Sequence, residues 1–130
     1  LLVKQEYEKV FGSKVSIVDK MMPFTEYVKF LNDIDIGIYP HNRQQAGNNI
    51  MIMLALGKKV YINNENTVLD LINSEYGATA YDLNEINVHD FDDFKNIDME
   101  VKKINIKRMK YIMSDEYFIE QMRKFYLQLK

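Results

Sequence analysis

The sequence has no cysteine, no tryptophan, two histidines, two prolines and five glycines in 130 residues. Without cysteine there is no disulfide framework, no thiolate metal site and no thiol nucleophile. His41 and His89 stand far apart, so no metal centre is expected. No apolar run approaches the roughly 20 residues of a membrane-spanning helix, and no signal-peptide pattern opens the chain. An excess of positive charge is also missing. Seventeen basic residues against nineteen acidic ones leave a net charge of −2, which makes no overall case for nucleic acid as a partner.

What the chain does have is apolar surface. It is 47% hydrophobic and 28% charged, the profile of one folded domain and too rich in Tyr, Phe, Ile and Leu for disorder. A chain of this length buries roughly two-thirds of its unfolded surface, so one core suffices. Charge is unevenly spread. Residues 101–130 hold eight Lys or Arg and three Asp or Glu, against nine and sixteen in residues 1–100. The first residue is Leu, within a helical pattern, and the chain is therefore expected to be a piece of a longer polypeptide.

Leu2, Val3, Tyr7, Val10 and Phe11 recur at helical spacing up to Gly12. Val15–Val18 reads as a strand, and Thr25 as the N-cap of a helix with Tyr27, Val28 and Leu31 inward. Ile34–Tyr39 is the next strand, ended by Pro40. Residues 41–47 are loop-like. The apolar run Ile50–Leu56 reads as a buried helix that Asn48 and Asn49 could cap, stopping at Gly57. Val60–Ile62, a turn at 63–66, a helix at 67–76 and a strand at 78–81 follow.

Strands alternating with helices of this length make βαβ units. The expected fold is therefore α/β, a Rossmann-like parallel sheet flanked by helices. Residues 1–81 form its core. Residues 82–100, with seven acidic residues and one Lys, read as a solvated connector with at most one helical turn. Residues 101–130 read as C-terminal helices of the same domain, with Ser114 as the cap between them. Met51, Met53, Tyr27 and Phe30 read as packing residues.

In an open parallel sheet, ligands lie beyond the carboxyl ends of the strands. One such end runs from Tyr39 through Arg43, Gln44 and Gln45 to Gly47, Asn48 and Asn49. Free N–H groups and the positive dipole end of the buried helix suit a phosphate there. Arg43 offers a permanently charged fork, and Gly47 lets an anion approach the backbone. The same residues also suit an Asn-capped surface loop. At the second end, Asn63, Asn64 and Glu65 are ordinary turn formers that could equally hydrogen-bond a base or sugar. His41 is either exposed or a ligand contact.

The stretch from Met22 to Pro40 resembles the "proline, helix, aspartate, strand" passage in the donor-binding half of GT-B glycosyltransferases. Residues Arg43 to Ile62 resemble the "small-residue helix, glycine, strand" passage of that same half. The Arg43-Gln44-Gln45 triplet, the nearby glycine, the buried helix, and Gly57 before a Val-containing strand are most similar to glycosyltransferase family 56. The resemblance is best over residues 15–80. Many retaining GT-B enzymes carry two glutamates eight positions apart; Gln44 and Ile52 occupy those places here, and Lys59 replaces a proline. The ribose-binding glutamate of those enzymes is thus absent, in keeping with a deoxyribose donor.

The resemblance implies one half of a GT-B fold, binding a nucleotide-sugar donor through Tyr39, Arg43, Gln44, Gln45, Gly47, Asn48, Asn49, Asn63, Asn64 and Glu65. It implies transfer of a deoxy-amino sugar from a TDP-sugar to a lipid-linked saccharide, by displacement at the anomeric carbon, with no cofactor or catalytic metal. The acceptor base is expected outside this chain, which alone should not turn over. The expected location is the inner face of the bacterial cytoplasmic membrane, with Lys102, Lys103, Lys107, Arg108 and Lys110 as a possible contact. The readings set against it are a noncatalytic, flavodoxin-like nucleotide or phosphate module, and an interaction domain.

Overall fold

Lys59–Ile62, with all four residues buried, is the strand around which a computed structural model describing residues 2–129 is organised. This strand, β2, lies between β1 (Ile36–Tyr39) and β3 (Tyr81–Asp82) in a parallel sheet of order β1-β2-β3. Ile36 stands opposite Lys59, Tyr39 opposite Ile62, and Tyr61 opposite Tyr81. The central strand of a parallel sheet must be covered on both faces. Val60 and Ile62 enter the main apolar core, while Lys59 and Tyr61 alternate to the other face. There Tyr61 stacks on Phe94 with ring centroids 5.5 Å apart, and it lies 5.6 Å from Tyr81.

The core side is built by helices. The crossover α3 (Gly47–Ala55) buries Ile50, Met53 and Leu54. Fully burying side chains of this kind stabilises the fold by about 1.5–3 kcal/mol each. Leu31 of α2 (Phe24–Asn32), Val68 of α4 (Thr67–Asp70), and Met109 and Ile112 of α6 (Met99–Ile112) complete the cluster. The helix of α4 continues through a wider π turn, Leu71–Glu75, that places Ile72 in the core. Ser114 caps the last helix, α7 (Asp115–Gln128), by accepting from the Tyr117 N–H. Neither α7 nor the first helix, α1 (Leu2–Phe11), buries a residue, and both keep their apolar stripes exposed. No helix among the described residues is long and apolar enough to cross a membrane.

Several elements differ from the expectation, each for a local reason. Val15–Val18 is not a strand; no ladder partner meets it and Ser16–Val18 are exposed. β-branched residues form strands where a pleated, half-buried surface receives them, and here none does. Thr25 does not cap α2. Pro23 occupies that position, and its carbonyl accepts from Tyr27 N–H at 2.9 Å. Asn48 and Asn49 do not cap α3 either, because the helix begins earlier, at Gly47. Residues 82–100 are more ordered than a loop. They carry a 3-10 turn (Leu83–Glu85), the short α5 (Phe91–Lys95) that brings Phe94 onto Tyr61, and the start of α6.

The strand expected at 78–81 begins only at Tyr81 because side-chain amides take the backbone before it. Asn73 accepts from Ala80 N–H at 2.8 Å and donates to its carbonyl at 3.0 Å. Asn105, fully buried on α6, does the same to Thr79 at 2.7 and 2.9 Å. This pairing imitates one rung of a ladder and ties α6 to the sheet edge. Replacing Asn105 by Leu keeps the volume but strands both Thr79 groups. Urea unfolding should show a loss of about 2–4 kcal/mol; an unchanged midpoint would remove Asn105 from this role.

Candidate functional site

At the carboxyl edge of the sheet, the loop after β1 and the turn after β2 are sewn together. Asn66, 1% exposed, is the main stitch. Its amide nitrogen donates to the carbonyls of His41 and Arg43, both at 3.0 Å. Its oxygen accepts from Val68 N–H at 3.0 Å, capping α4. Asn63 adds a second layer. Its amide reaches Asn42 Oδ1 at 2.8 Å and the Pro40 carbonyl at 3.3 Å, and its backbone N–H meets the Tyr39 carbonyl at 3.1 Å. Asn42 in turn donates to Glu65 Oε2 at 2.5 Å. The loop carrying Arg43 is therefore held by the neighbouring turn.

The start of α3 has an unusual backbone. Ala46, its N-cap, is the one non-glycine residue with positive φ among those described (φ 56°, ψ 24°). The left-handed region costs an L-residue roughly 1–2 kcal/mol. No side chain caps the helix, so the N–H groups of Gly47, Asn48 and Asn49 are left facing outward without an intrahelical partner. Ile50 N–H, bonded to the Ala46 carbonyl at 3.0 Å, is the first to be satisfied. Gly47 is not required by the fold. A Cβ added there would meet nothing within 4 Å.

The ten residues singled out from the sequence separate into groups. Arg43, Gln44, Gln45 and Asn48 are exposed and Asn49 is half-buried, all on the loop and first turn of α3. Among the described residues, no carboxylate comes within 4 Å of the Arg43 guanidinium. Asn63 and Glu65 are engaged in the stitching, whereas Asn64 is exposed. Tyr39 folds its ring back over Gly37, where a Cβ would lie 2.9 Å from the ring and 3.5 Å from the hydroxyl. Burial, reinforced by Tyr27, pushes its pKa up to about 12, so it is a neutral phenol at physiological pH. His41 exposes its side chain and gives its carbonyl to Asn66.

Sequence reasoning missed Asn42, Ala46 and Asn66 as shaping residues. For Asn66 a signal was present: an Asn directly before Thr67-Val68-Leu69 is a helix N-cap pattern. An open cleft of about 470 Å³ adjoins the stitched edge on the α4 side, lined by Asn64, Glu65, Thr67, Asp70 and Asn73. Arg43 and Gly47 do not line it. Its two carboxylates suit hydroxyl and amide groups rather than phosphate.

A parallel sheet with uncapped helix N–H groups, an unpaired arginine and amide-rich turns on its carboxyl edge defines a Rossmann-like α/β domain. The chain matches the family described as 4-alpha-L-fucosyltransferase glycosyl transferase group 56 over residues 2–124, nearly its whole length. It belongs to that glycosyltransferase family. No curated protein and no solved structure matches it.

Because Asn66 bonds three backbone groups from inside the core, Asn66→Ala should destabilise the chain by about 2–4 kcal/mol. It should also broaden the NMR signals of residues 41–45. Unchanged stability with an equally ordered loop would contradict the stitching role.

Proposed function

We propose that this chain is the donor-binding half of a GT-B glycosyltransferase, taking a nucleotide-sugar at the start of α3. One observation carries the reading. Three outward N–H groups at Gly47–Asn49 stand at the positive end of a helix, on a glycine that nothing within the chain requires, in the same strand-end loop as an unpaired arginine. A glycine in place of alanine lowers helix propensity by about 1 kcal/mol, so its presence favours a use outside the chain's own packing.

In this reading the donor diphosphate lies against those N–H groups and Arg43. As the bond at the anomeric carbon breaks, negative charge gathers on the leaving diphosphate. Donors already aimed at it stabilise that charge without reorganising. Arg43 supplies a charge-assisted pair, and Gln44, Gln45, Asn48 and Asn49 flank the phosphates. Asn64, exposed and lining the cleft with Glu65, meets base or sugar in this reading, together with the neighbouring Asn63. Tyr39 contributes packing beneath the loop. Glycosyl transfer follows from the family. In this proposal the donor is a TDP-sugar and the acceptor a lipid-linked saccharide, activated by a base in the other half of the GT-B fold.

A lipid-linked acceptor also favours peripheral seating on the inner face of the cytoplasmic membrane. The α6 helix turns Met109 into the core, and Arg108 Nε donates to the Tyr76 carbonyl at 2.6 Å. Contact would therefore be electrostatic, through the exposed row Lys103, Lys107 and Lys110, each contributing about 1 kcal/mol near anionic lipid. Cosedimentation with anionic liposomes that fades with salt supports it. No binding at low salt rejects it.

The donor site is tested by calorimetry with TDP, UDP and inorganic phosphate. Arg43→Ala should weaken TDP binding about tenfold or more with stability nearly unchanged, as expected for a charge-assisted contact of about 1.5–3 kcal/mol. Gly47→Ala should leave stability equal or higher yet bind less tightly, because its methyl occupies the anion's approach. Equal affinity in both variants would reject the site. Phosphate binding that ignores the base would indicate a noncatalytic module instead.

A further inference from the structure

At the opposite edge of the sheet, where the strands begin, the side chains change character. Asp35 precedes β1, Gly57 and Lys58 precede β2, and Lys59 opens it. Together with Lys95 and Lys102 these residues line a cleft of about 310 Å³. Four ammonium-bearing side chains share that wall with one carboxylate. A strand of four residues at about 3.3 Å per residue puts this edge some 13 Å from the loop that carries Arg43.

Lys59 is only 3% exposed. Its ammonium donates to the Asp93 carbonyl and lies over the rings of Tyr61 and Tyr81, 5.3 and 4.6 Å from their centroids. An ammonium carries three donors, and Lys59 has one oxygen acceptor among the described residues. Nor does any carboxylate oxygen among those residues come within 4 Å of Lys58, Lys59 or Lys102. Lys58 donates to the Asn32 carbonyl at 2.6 Å, and Lys95 is paired with Asp92 at 2.9 Å. The carboxylates of Asp93 and Asp98 act on the adjoining Tyr81 but make no ion pair with Lys59, so an anion in the cleft would supply a close counter-charge to a buried cation.

Lys102 is placed by the backbone it crosses. Gly57 has φ +72°, and a Cβ there would come within 2.8 Å of Lys102 Cε and 3.0 Å of Cγ. The lysine stem thus fills the space a side chain would need, and Lys102 lines the cleft. We propose that this cleft is a second anion site, separate from the donor site, that takes a phosphoryl group. Either a free phosphate ester or a phospholipid headgroup presents that chemistry.

The test titrates the isotope-labelled chain with inorganic phosphate and follows the NMR signals of Gly57 and Lys102. Saturable shifts at both are expected. Lys102→Met keeps the stem over Gly57 and removes the charge, and should weaken binding about tenfold or more. Lys95→Gln, on a more exposed side chain, is a second variant should the first fail to fold, and it too should weaken binding. Lys107→Met, exposed on the same helix, should leave it unchanged. Arg43→Ala should leave it unchanged as well, which separates this site from the donor site. Vesicles of phosphatidylglycerol that capture the parent chain and Lys107→Met but not Lys102→Met would identify a headgroup; equal capture of the parent and Lys102→Met, or no capture, with phosphate still bound, identifies a free ester. No saturable shift at Gly57, or equal weakening by Lys102→Met and Lys107→Met, overturns the proposal.

Discussion

A single buried carboxamide governs the geometry of the candidate site. Asn66 spans the gap between two strand ends, and all three of its polar contacts are to backbone. A charged or aliphatic residue cannot replace it, since only an amide offers two donors and an acceptor in one plane. Its burial makes those bonds costly to break, because the freed amide of Asn66 would lie away from water. The loop of Arg43 therefore takes its course from the next turn along the sheet rather than from its own sequence. Asn105 solves a similar problem at the far edge, satisfying Thr79 where β3 has not yet begun.

Helix propensity and backbone geometry pull apart at the start of α3. Ala46 accepts a left-handed conformation, and Gly47 gives up helix propensity without any internal contact to justify it. Local rules broken together at one place commonly mark a functional position, where the fold tolerates strain that a ligand uses. The result is a row of aligned N–H groups with no side chain competing for them. Arg43 stands on the loop that leads into this row and has no acidic partner within 4 Å among the described residues.

The two edges of the sheet divide the chemistry between them. The carboxyl edge is rich in amides, with one guanidinium and free backbone donors. The amino edge is rich in ammonium groups gathered around Gly57. Parallel strands make this division possible, because every strand begins on one side and ends on the other. Cover on the β2 face opposite the main core comes from α5, whose Phe94 lies on Tyr61 while the neighbouring Asp93 carbonyl receives Lys59. An acidic segment that looks like a solvated linker thus closes the sheet.

The sequence by itself determined the alternation of strand and helix, and hence the α/β class. Apolar periodicity and β-branched runs report burial directly, so β1, β2, α3 and α6 were legible. So were the helix stops at Gly12 and Gly57, both of which have positive φ, and the cap at Ser114. The Arg43 loop and the turn at 63–65 were legible as strand-end positions, and the residues from Arg43 to Ile62 carried a resemblance to the family whose model matches residues 2–124. Only the tertiary structure decided which of those residues bond to one another. Asn63 and Glu65 look alike to Asn64 in a turn, yet two are drawn into the stitching and one stays exposed. Val15–Val18 has strand propensity but no partner, and 78–80 has partners that are side chains. Hydrogen bonds between segments more than 20 residues apart depend on where the core places each loop, and no local pattern encodes that placement.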